Sequence, residues 1–114
     1  MNCVALCLGA TVLVGCVQRT LPNAKVVQTE ATITAAAAIG ASKNARASEH
    51  LELAKKELDR AKRLARDGNA LEGRIVLQGA QADAELGLML VRASKARSEV
   101  QEVAADQQVS QSVP

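Results

Sequence analysis

Aromatic residues are absent from this 114-residue chain, and proline and histidine are scarce. Without Trp, Tyr or Phe, the chain lacks the aromatic side chains on which the bases of single-stranded nucleic acids commonly stack. Proline occurs only at Pro22 and Pro114, so no proline interrupts a helix between those positions. His50 is the single histidine, which leaves a Ser-His-Asp arrangement or a zinc site without convincing members. These absences disfavour an enzyme, a metal site, a cofactor and nucleic-acid binding.

Cysteine is confined to the first apolar run, at Cys3, Cys7 and Cys16. The run from Val4 to Val14 suits a signal-peptide core of about 7–15 residues and is too short for a membrane span of about 20. Its end, Leu13-Val14-Gly15-Cys16, resembles the bacterial lipobox, in which the cysteine receives a diacylglycerol and becomes the first mature residue. The lipid would consume the last cysteine, so no disulfide is expected.

The extreme N-terminus leaves alternatives open. Met1-Asn2 offers only the α-amine in place of the usual Lys or Arg, so either the start is misassigned or the signal is weak. The run could instead form a buried helix in a soluble protein, or an uncleaved anchor palmitoylated at Cys3 and Cys7. Val17-Gln18 lacks the aspartate associated with inner-membrane retention. The lipobox resemblance therefore implies an outer-membrane lipoprotein that faces the periplasm and carries acyl chains such as palmitate.

Composition divides the rest of the chain. Residues 16–29 mix polar residues with Pro22 and Asn23, and we expect a lipidated flexible tether there, after a signal peptide at 1–15. Residues 30–106 are rich in Ala, Leu, Glu, Lys, Gln and Arg, which favour helix. Residues 107–114 are polar and predicted to be disordered.

One turn signal interrupts the helical region. Asp67-Gly68-Asn69 places a helix-stopping glycine before a potential N-cap asparagine, and Glu72 stands where it can complete a capping box. So short a connection makes the flanking helices antiparallel neighbours. The sequence therefore predicts an all-α fold, a long antiparallel αα-hairpin with arms at about 30–66 and 70–105.

Each arm carries a heptad pattern typical of a coiled coil. In the first arm the pattern comprises Ile33, Ala37, Gly40, Asn44, Ala47, Leu51, Ala54, Leu58, Ala61 and Ala65. In the second it comprises Ile75, Gly79, Ala82, Leu86, Met89, Ala93, Ala96, Val100 and Val103. Folding about Gly68 places Leu58 opposite Gly79 and Ile75 opposite Ala61. Large residues would then oppose small ones, which predicts a close helix contact.

A second apolar stripe on the second arm supports an alternative. It lies on the side opposite the predicted seam and comprises Leu77, Ala80, Ala84, Leu88 and Val91. A break near Ser48 would give three helices, and the third could cover this stripe. We favour the continuous hairpin because the heptad passes from Asn44 to Leu51 in phase. The stripe is then predicted to bind a second copy of the chain or another envelope protein.

The charged residues are predicted to form solvated helix surfaces, with His50 among them. The densest cations are Lys55, Lys56, Arg60, Lys62, Arg63 and Arg66, at the end of the first arm. Neighbouring acids dilute this patch, so attraction to anionic lipid or cell-wall polymers fits it better than nucleic acid does. Peptidoglycan contact is possible in the predicted compartment, but no motif supports it.

Residues 35–97 resemble a bacterial lipoprotein family known as domain of unknown function 4398. The resemblance rests on Ala45-Arg46-Ala47-Ser48-Glu49-His50-Leu51, on Gly68-Asn69, and on Ala80-Gln81-Ala82-Asp83-Ala84-Glu85-Leu86. It implies a helical envelope lipoprotein without assigned activity. We therefore expect a lipid-anchored structural or protein-interaction module without catalysis. The alternative is a soluble helical adaptor or regulator with an apolar N-terminal segment.

Overall fold

The computed structural model describes residues 20–112, which form three α-helices and no strand. Helix α1 spans Asn23–Ala38, α2 spans Ala45–Arg66 and α3 spans Ala70–Ser112. Helices α2 and α3 pack against each other as an antiparallel hairpin, so the predicted all-α hairpin is confirmed. The predicted signal peptide and the lipobox, Leu13 to Cys16, lie outside the described residues.

The first arm is two helices, and its predicted continuity is wrong. Gly40 adopts a left-handed conformation with φ 102°, which a residue with a Cβ rarely takes, and a 3₁₀ turn at Ala41–Lys43 follows. The Asn44 side chain then accepts a hydrogen bond of 3.0 Å from the Ala47 amide and caps α2. The three-helix alternative is therefore the observed arrangement, with its N-cap four residues before Ser48.

The connection between α2 and α3 follows the predicted turn. Gly68 has φ 87°, and its amide donates to the Ala65 carbonyl, while the Asn69 amide donates to the Leu64 carbonyl at 2.8 Å. These two bonds form a Schellman motif, which satisfies carbonyls at the end of α2. The Glu72 carboxylate, predicted to complete a capping box, accepts a hydrogen bond from Arg60 across the hairpin.

The two apolar stripes of α3 are exchanged relative to the prediction. The residues that α3 buries are Ala70, Gly73, Leu77, Ala80, Ala84, Gly87 and Val91. These positions also alternate steps of three and four, so they form a heptad seam of their own. The predicted seam, from Ile75 to Val103, instead lies largely exposed on the opposite side of α3. On α2 the seam of Ala47, Leu51, Ala54, Leu58 and Ala61 is buried as predicted.

Both α1 and α2 pack against the buried face of α3. Helix α1 contacts α3 more extensively than it contacts α2 and contributes Thr29, Ile33 and Ala36 to the interior. The Lys62 ammonium of α2 donates to the Glu30 carboxylate of α1, which links the remaining pair of helices. The chain therefore runs up, down and up again, and α3 continues past Ser98 as a single helix with only exposed residues.

Two glycines let α2 approach α3 closely. A Cβ on Gly87 would lie 2.8 Å from Cδ2 of Leu51, and a Cβ on Gly73 would lie 2.9 Å from the Ala61 carbonyl oxygen. Both distances are shorter than a van der Waals contact. The predicted opposition of large and small residues is thus present, with Gly87 and Leu51 as its clearest pair, whereas Gly79 faces the Glu57 carboxylate.

Candidate functional site

The predicted lipid-attachment residue Cys16 lies outside the described residues, but Thr20 and Leu21, where the described chain begins, contact α3. The Thr20 carbonyl accepts hydrogen bonds from Arg74 Nη2 at 3.0 Å and Nε at 3.3 Å. The Leu21 side chain packs against Gly73 on α3, where an added Cβ would lie 3.3 Å from Leu21 Cδ2. The first described residues, Thr20 and Leu21, therefore lie at the hairpin-turn end of the bundle.

The predicted tether over residues 16–29 is too long, because α1 begins at Asn23. Pro22 was predicted to lie in the tether. It occupies the N-cap position of α1, and its carbonyl accepts a hydrogen bond from the Val26 amide. Thr29 is fully buried, and its hydroxyl donates to the Lys25 carbonyl, so a polar residue contributes to the helix interior. Thr29, Ile33 and Ala36 follow one another at intervals of four and three residues, and this spacing of one helix face indicates the helix.

The predicted partner face is part of the chain's own core. Leu77 is 1% exposed, while Ala80, Ala84 and Val91 are also buried and Leu88 is partly buried against the same cluster. Helices α1 and α2 pack against this face of α3, where the prediction placed a second molecule. These residues therefore offer no surface to a partner, and that prediction is corrected.

The face of α3 that points away from α1 and α2 is instead apolar and open. We call it the outer stripe, and it comprises Ile75, Ala82, Leu86, Met89, Ala93, Ala96, Val100 and Val103. Met89 is 65% exposed and Val100 is 69% exposed. The stripe keeps heptad spacing from the back of the three-helix bundle onto the projecting part of α3. No other described residue covers it.

Charged residues border the outer stripe on both sides. Glu85, Arg92, Glu99 and Asp106 follow one edge at intervals of seven residues, while Arg97 lies on the other edge. All five residues are exposed. In a coiled coil such flanking positions determine which helix direction and which partner are favoured.

A polar pair crosses the interface between α2 and α3. His50 Nδ1 lies 2.8 Å from Asp83 Oδ1, and both side chains are only partly exposed. The prediction that His50 is simply solvated is therefore wrong, because its partner is distant in sequence and belongs to the other arm. Since neither residue contacts a nucleophile in the described part of the chain, we interpret the pair as a link that fixes the hairpin register.

Glu57 lies two helical turns after His50 and faces the same side of α3. Its Oε2 atom is buried and has no hydrogen-bond partner among residues 20–112. Burial raises the pKa of Glu57, and the nearby negative charge of Asp83 raises it further. Gly79 leaves room for this carboxylate, because an added Cβ would lie 3.1 Å from Oε2.

Three of the basic residues of α2 form ion pairs with acidic side chains. Lys55 pairs with Glu52, Arg60 with Glu72, and Lys62 with Glu30. Lys62 and Arg66 also border a groove that contains Thr20 and Leu21, at the hairpin-turn end. The cations therefore lie beside the point where the N-terminal segment joins the body.

Within residues 20–112, no group of His, Cys, Asp and Glu side chains has the arrangement of a metal site. None of the described helices combines the length and apolar character needed to cross a bilayer. Comparisons with protein-family models, curated proteins and solved structures return no match to this chain. The resemblance to the lipoprotein family thus remains a prediction from the motifs.

Proposed function

We propose that this chain is a lipid-anchored envelope lipoprotein, held in the outer membrane by acyl chains on Cys16, and that it serves as a structural or protein-interaction module. The observation that carries the proposal is the lipobox-like sequence Leu13-Val14-Gly15-Cys16 at the end of an apolar run, four residues before Thr20, whose carbonyl accepts a hydrogen bond from Arg74. An acylated cysteine anchors a protein to a membrane without a spanning helix.

The short connection would keep the lipid anchor close to the folded helices. Four residues from Cys16 to Thr20 span at most about 14 Å. Because Arg74 holds the Thr20 carbonyl, the lipid would lie near the hairpin-turn end of the bundle. The exposed cations Arg63 and Arg66 belong to that end and suit an anionic headgroup region.

The other end of the molecule would then extend away from the anchor. Helix α3 has 43 residues, which corresponds to a length of about 64 Å. Its outer stripe continues into the part that projects beyond the bundle. A membrane-held rod with an apolar stripe is suited to contact other proteins.

Replacing Cys16 by Ser tests the anchor. We expect the variant to leave the detergent-soluble membrane fraction and to lack the lipid mass, because the serine hydroxyl cannot receive the thioether-linked lipid. One acyl chain binds a bilayer only weakly, with K of about 10⁴ M⁻¹, so loss of two or three chains should release the protein. Fractionation followed by intact mass spectrometry measures both effects.

Cys7→Ser is the matched control and should remain in the membrane fraction, because Cys7 precedes the predicted cleavage site. If Cys16→Ser fractionates like the unaltered protein, lipidation at Cys16 is not the anchor. An unmodified chain that begins at Met1 and fractionates with soluble proteins would instead support the soluble adaptor or regulator.

A further inference from the structure

The outer stripe of α3 contains five of the ten large hydrophobic residues that are exposed among residues 20–112. We propose that it binds the outer stripe of a second copy of this chain, so that two α3 helices form an antiparallel coiled coil. The stripe has heptad spacing and is flanked by charges, which are the two features that such a pairing requires. The proposal does not depend on lipidation at Cys16.

One antiparallel register matches the side chains by size. It pairs Leu86 with Val103 of the second copy, and Met89 with Val100 of the second copy. At the centre Ala93 meets Ala96 of the second copy, and the twofold axis repeats all three layers. Exposed apolar side chains thus cover each other along about 27 Å of helix. The central alanines allow the helix axes to approach closely.

In the same register the flanking charges are only partly matched, because Glu85 lies opposite Asp106 of the second copy and the two carboxylates repel each other. Arg92 lies opposite Glu99 of the second copy, and the twofold axis creates a second identical ion pair. A parallel arrangement would instead place Arg92 beside Arg97 of the second copy on both sides. Like charges at these positions disfavour the parallel form. The flanking charges therefore favour the antiparallel direction over the parallel one, because only the antiparallel form offsets its repulsive pairs with attractive ones.

The remainder of the fold leaves space for this partner. Helices α1 and α2 pack on the side of α3 opposite the outer stripe, so the bundles of two antiparallel copies do not meet. The two hairpin-turn ends would lie about 70 Å apart, at opposite ends of the dimer. The interface is short for a permanent complex, so we expect dissociation at micromolar concentrations.

Sedimentation velocity of the full chain in a density-matched detergent, over a range of micromolar concentrations, tests the dimer. We expect the unaltered protein to dimerise and Leu86→Glu to weaken association by at least about tenfold, since a carboxylate would be buried in the interface. Leu53→Glu is the matched control, because Leu53 is 44% exposed on α2 and Leu86 is 43% exposed on α3. A monomer at every concentration, or equal weakening by both variants, would overturn the proposal.

Charge exchange tests the direction. Arg92→Glu and Glu99→Arg should each weaken the dimer by about tenfold, because each converts two attractive pairs into two repulsive ones. The double variant Arg92→Glu/Glu99→Arg should restore association to within a few-fold of the original. A tighter dimer for Arg92→Glu alone would indicate parallel helices and overturn the antiparallel arrangement.

Discussion

Glu57 shows how a single carboxyl group links this interface to pH. Its buried Oε2 atom lacks a hydrogen-bond partner among the described residues, and Asp83 adds a second negative charge nearby. Both effects raise the pKa of Glu57 in the folded protein above its ordinary value of 4.5. The protonated form is thus favoured by folding, and ionisation of Glu57 lowers the free energy of unfolding as pH rises through the raised pKa.

We predict that Glu57→Gln stabilises the protein at pH 7. Glutamine removes the buried negative charge, so the free energy of unfolding should rise by about 1 kcal/mol. The gain should disappear below about pH 4.5, where Glu57 is protonated in both the folded and the unfolded state. Urea unfolding of both proteins at several pH values measures the difference.

Glu52→Gln is the control for this experiment. The pKa of Glu52 is lowered, first by its hydrogen bond with Lys55 and then by the charge of Lys55. Its replacement should therefore not stabilise the protein at pH 7. If Glu57→Gln and Glu52→Gln change stability in the same direction and by the same amount, burial of Glu57 is not the cause.

At the scale of helices, close contact between α2 and α3 depends on the positions of the glycines in α3. Leu51 is 3% exposed and packed among core residues, so it has little freedom to move away from a methyl group on Gly87. Glu57 opposite Gly79 can rotate its carboxylate toward solvent. The two glycines therefore have different packing roles in the same helix.

Gly87→Ala should destabilise the protein by about 1–3 kcal/mol, because overpacking exceeds the gain in helix propensity. Gly79→Ala is its matched control and should be neutral or stabilise by up to about 1 kcal/mol, since propensity then dominates. Thermal and urea unfolding measure both effects. A stabilising Gly87→Ala would show that α2 and α3 are not in close contact at Leu51.

For the whole molecule, packing is distributed unevenly along α3. Up to Val91 the helix contributes buried residues, whereas every residue after Ser98 is exposed. An isolated helical segment of this length is only marginally stable in water. Order after Ser98 is therefore sensitive to contacts with a second molecule.

We predict a gradient of amide hydrogen exchange along α3. In the monomeric Leu86→Glu variant, amides at buried positions between Leu77 and Val91 should exchange slowly, through unfolding of the bundle. Amides of residues 104–112 should exchange rapidly, because the exposed end of α3 opens by local fraying. In the unaltered protein at high concentration, residues 92–103 should gain protection if the dimer forms. Uniform slow exchange up to residue 112 would contradict this gradient.

Much of the fold follows from local features of the sequence. Gly68 and Asn69 specify the turn, because left-handed glycine and two backbone hydrogen bonds end α2 at that point. The seam of α2 was predicted correctly, since α2 carries one continuous apolar stripe and Leu53 is an isolated exposed exception. The break before α2 also had local signals, Gly40 and Asn44, but the uninterrupted heptad outweighed them in the prediction.

The candidate surfaces required the tertiary structure. Long-range partners such as Asp83 for His50 and Arg74 for the Thr20 carbonyl cannot be derived from spacing along one helix. The lipid-attachment prediction at Cys16 depends on the motif alone and stays a prediction. In contrast, the position where its segment joins the body comes from the fold.

The sequence by itself determined the α2–α3 hairpin, its antiparallel turn and the presence of two apolar stripes on α3. Only the tertiary structure decided which stripe is buried, because both have heptad spacing and each could face α2. The buried stripe combines Gly73 and Gly87 with Ala80 and Ala84, so α1 and α2 can both pack closely there. The outer stripe remains open because one face of α3 accommodates both neighbouring helices.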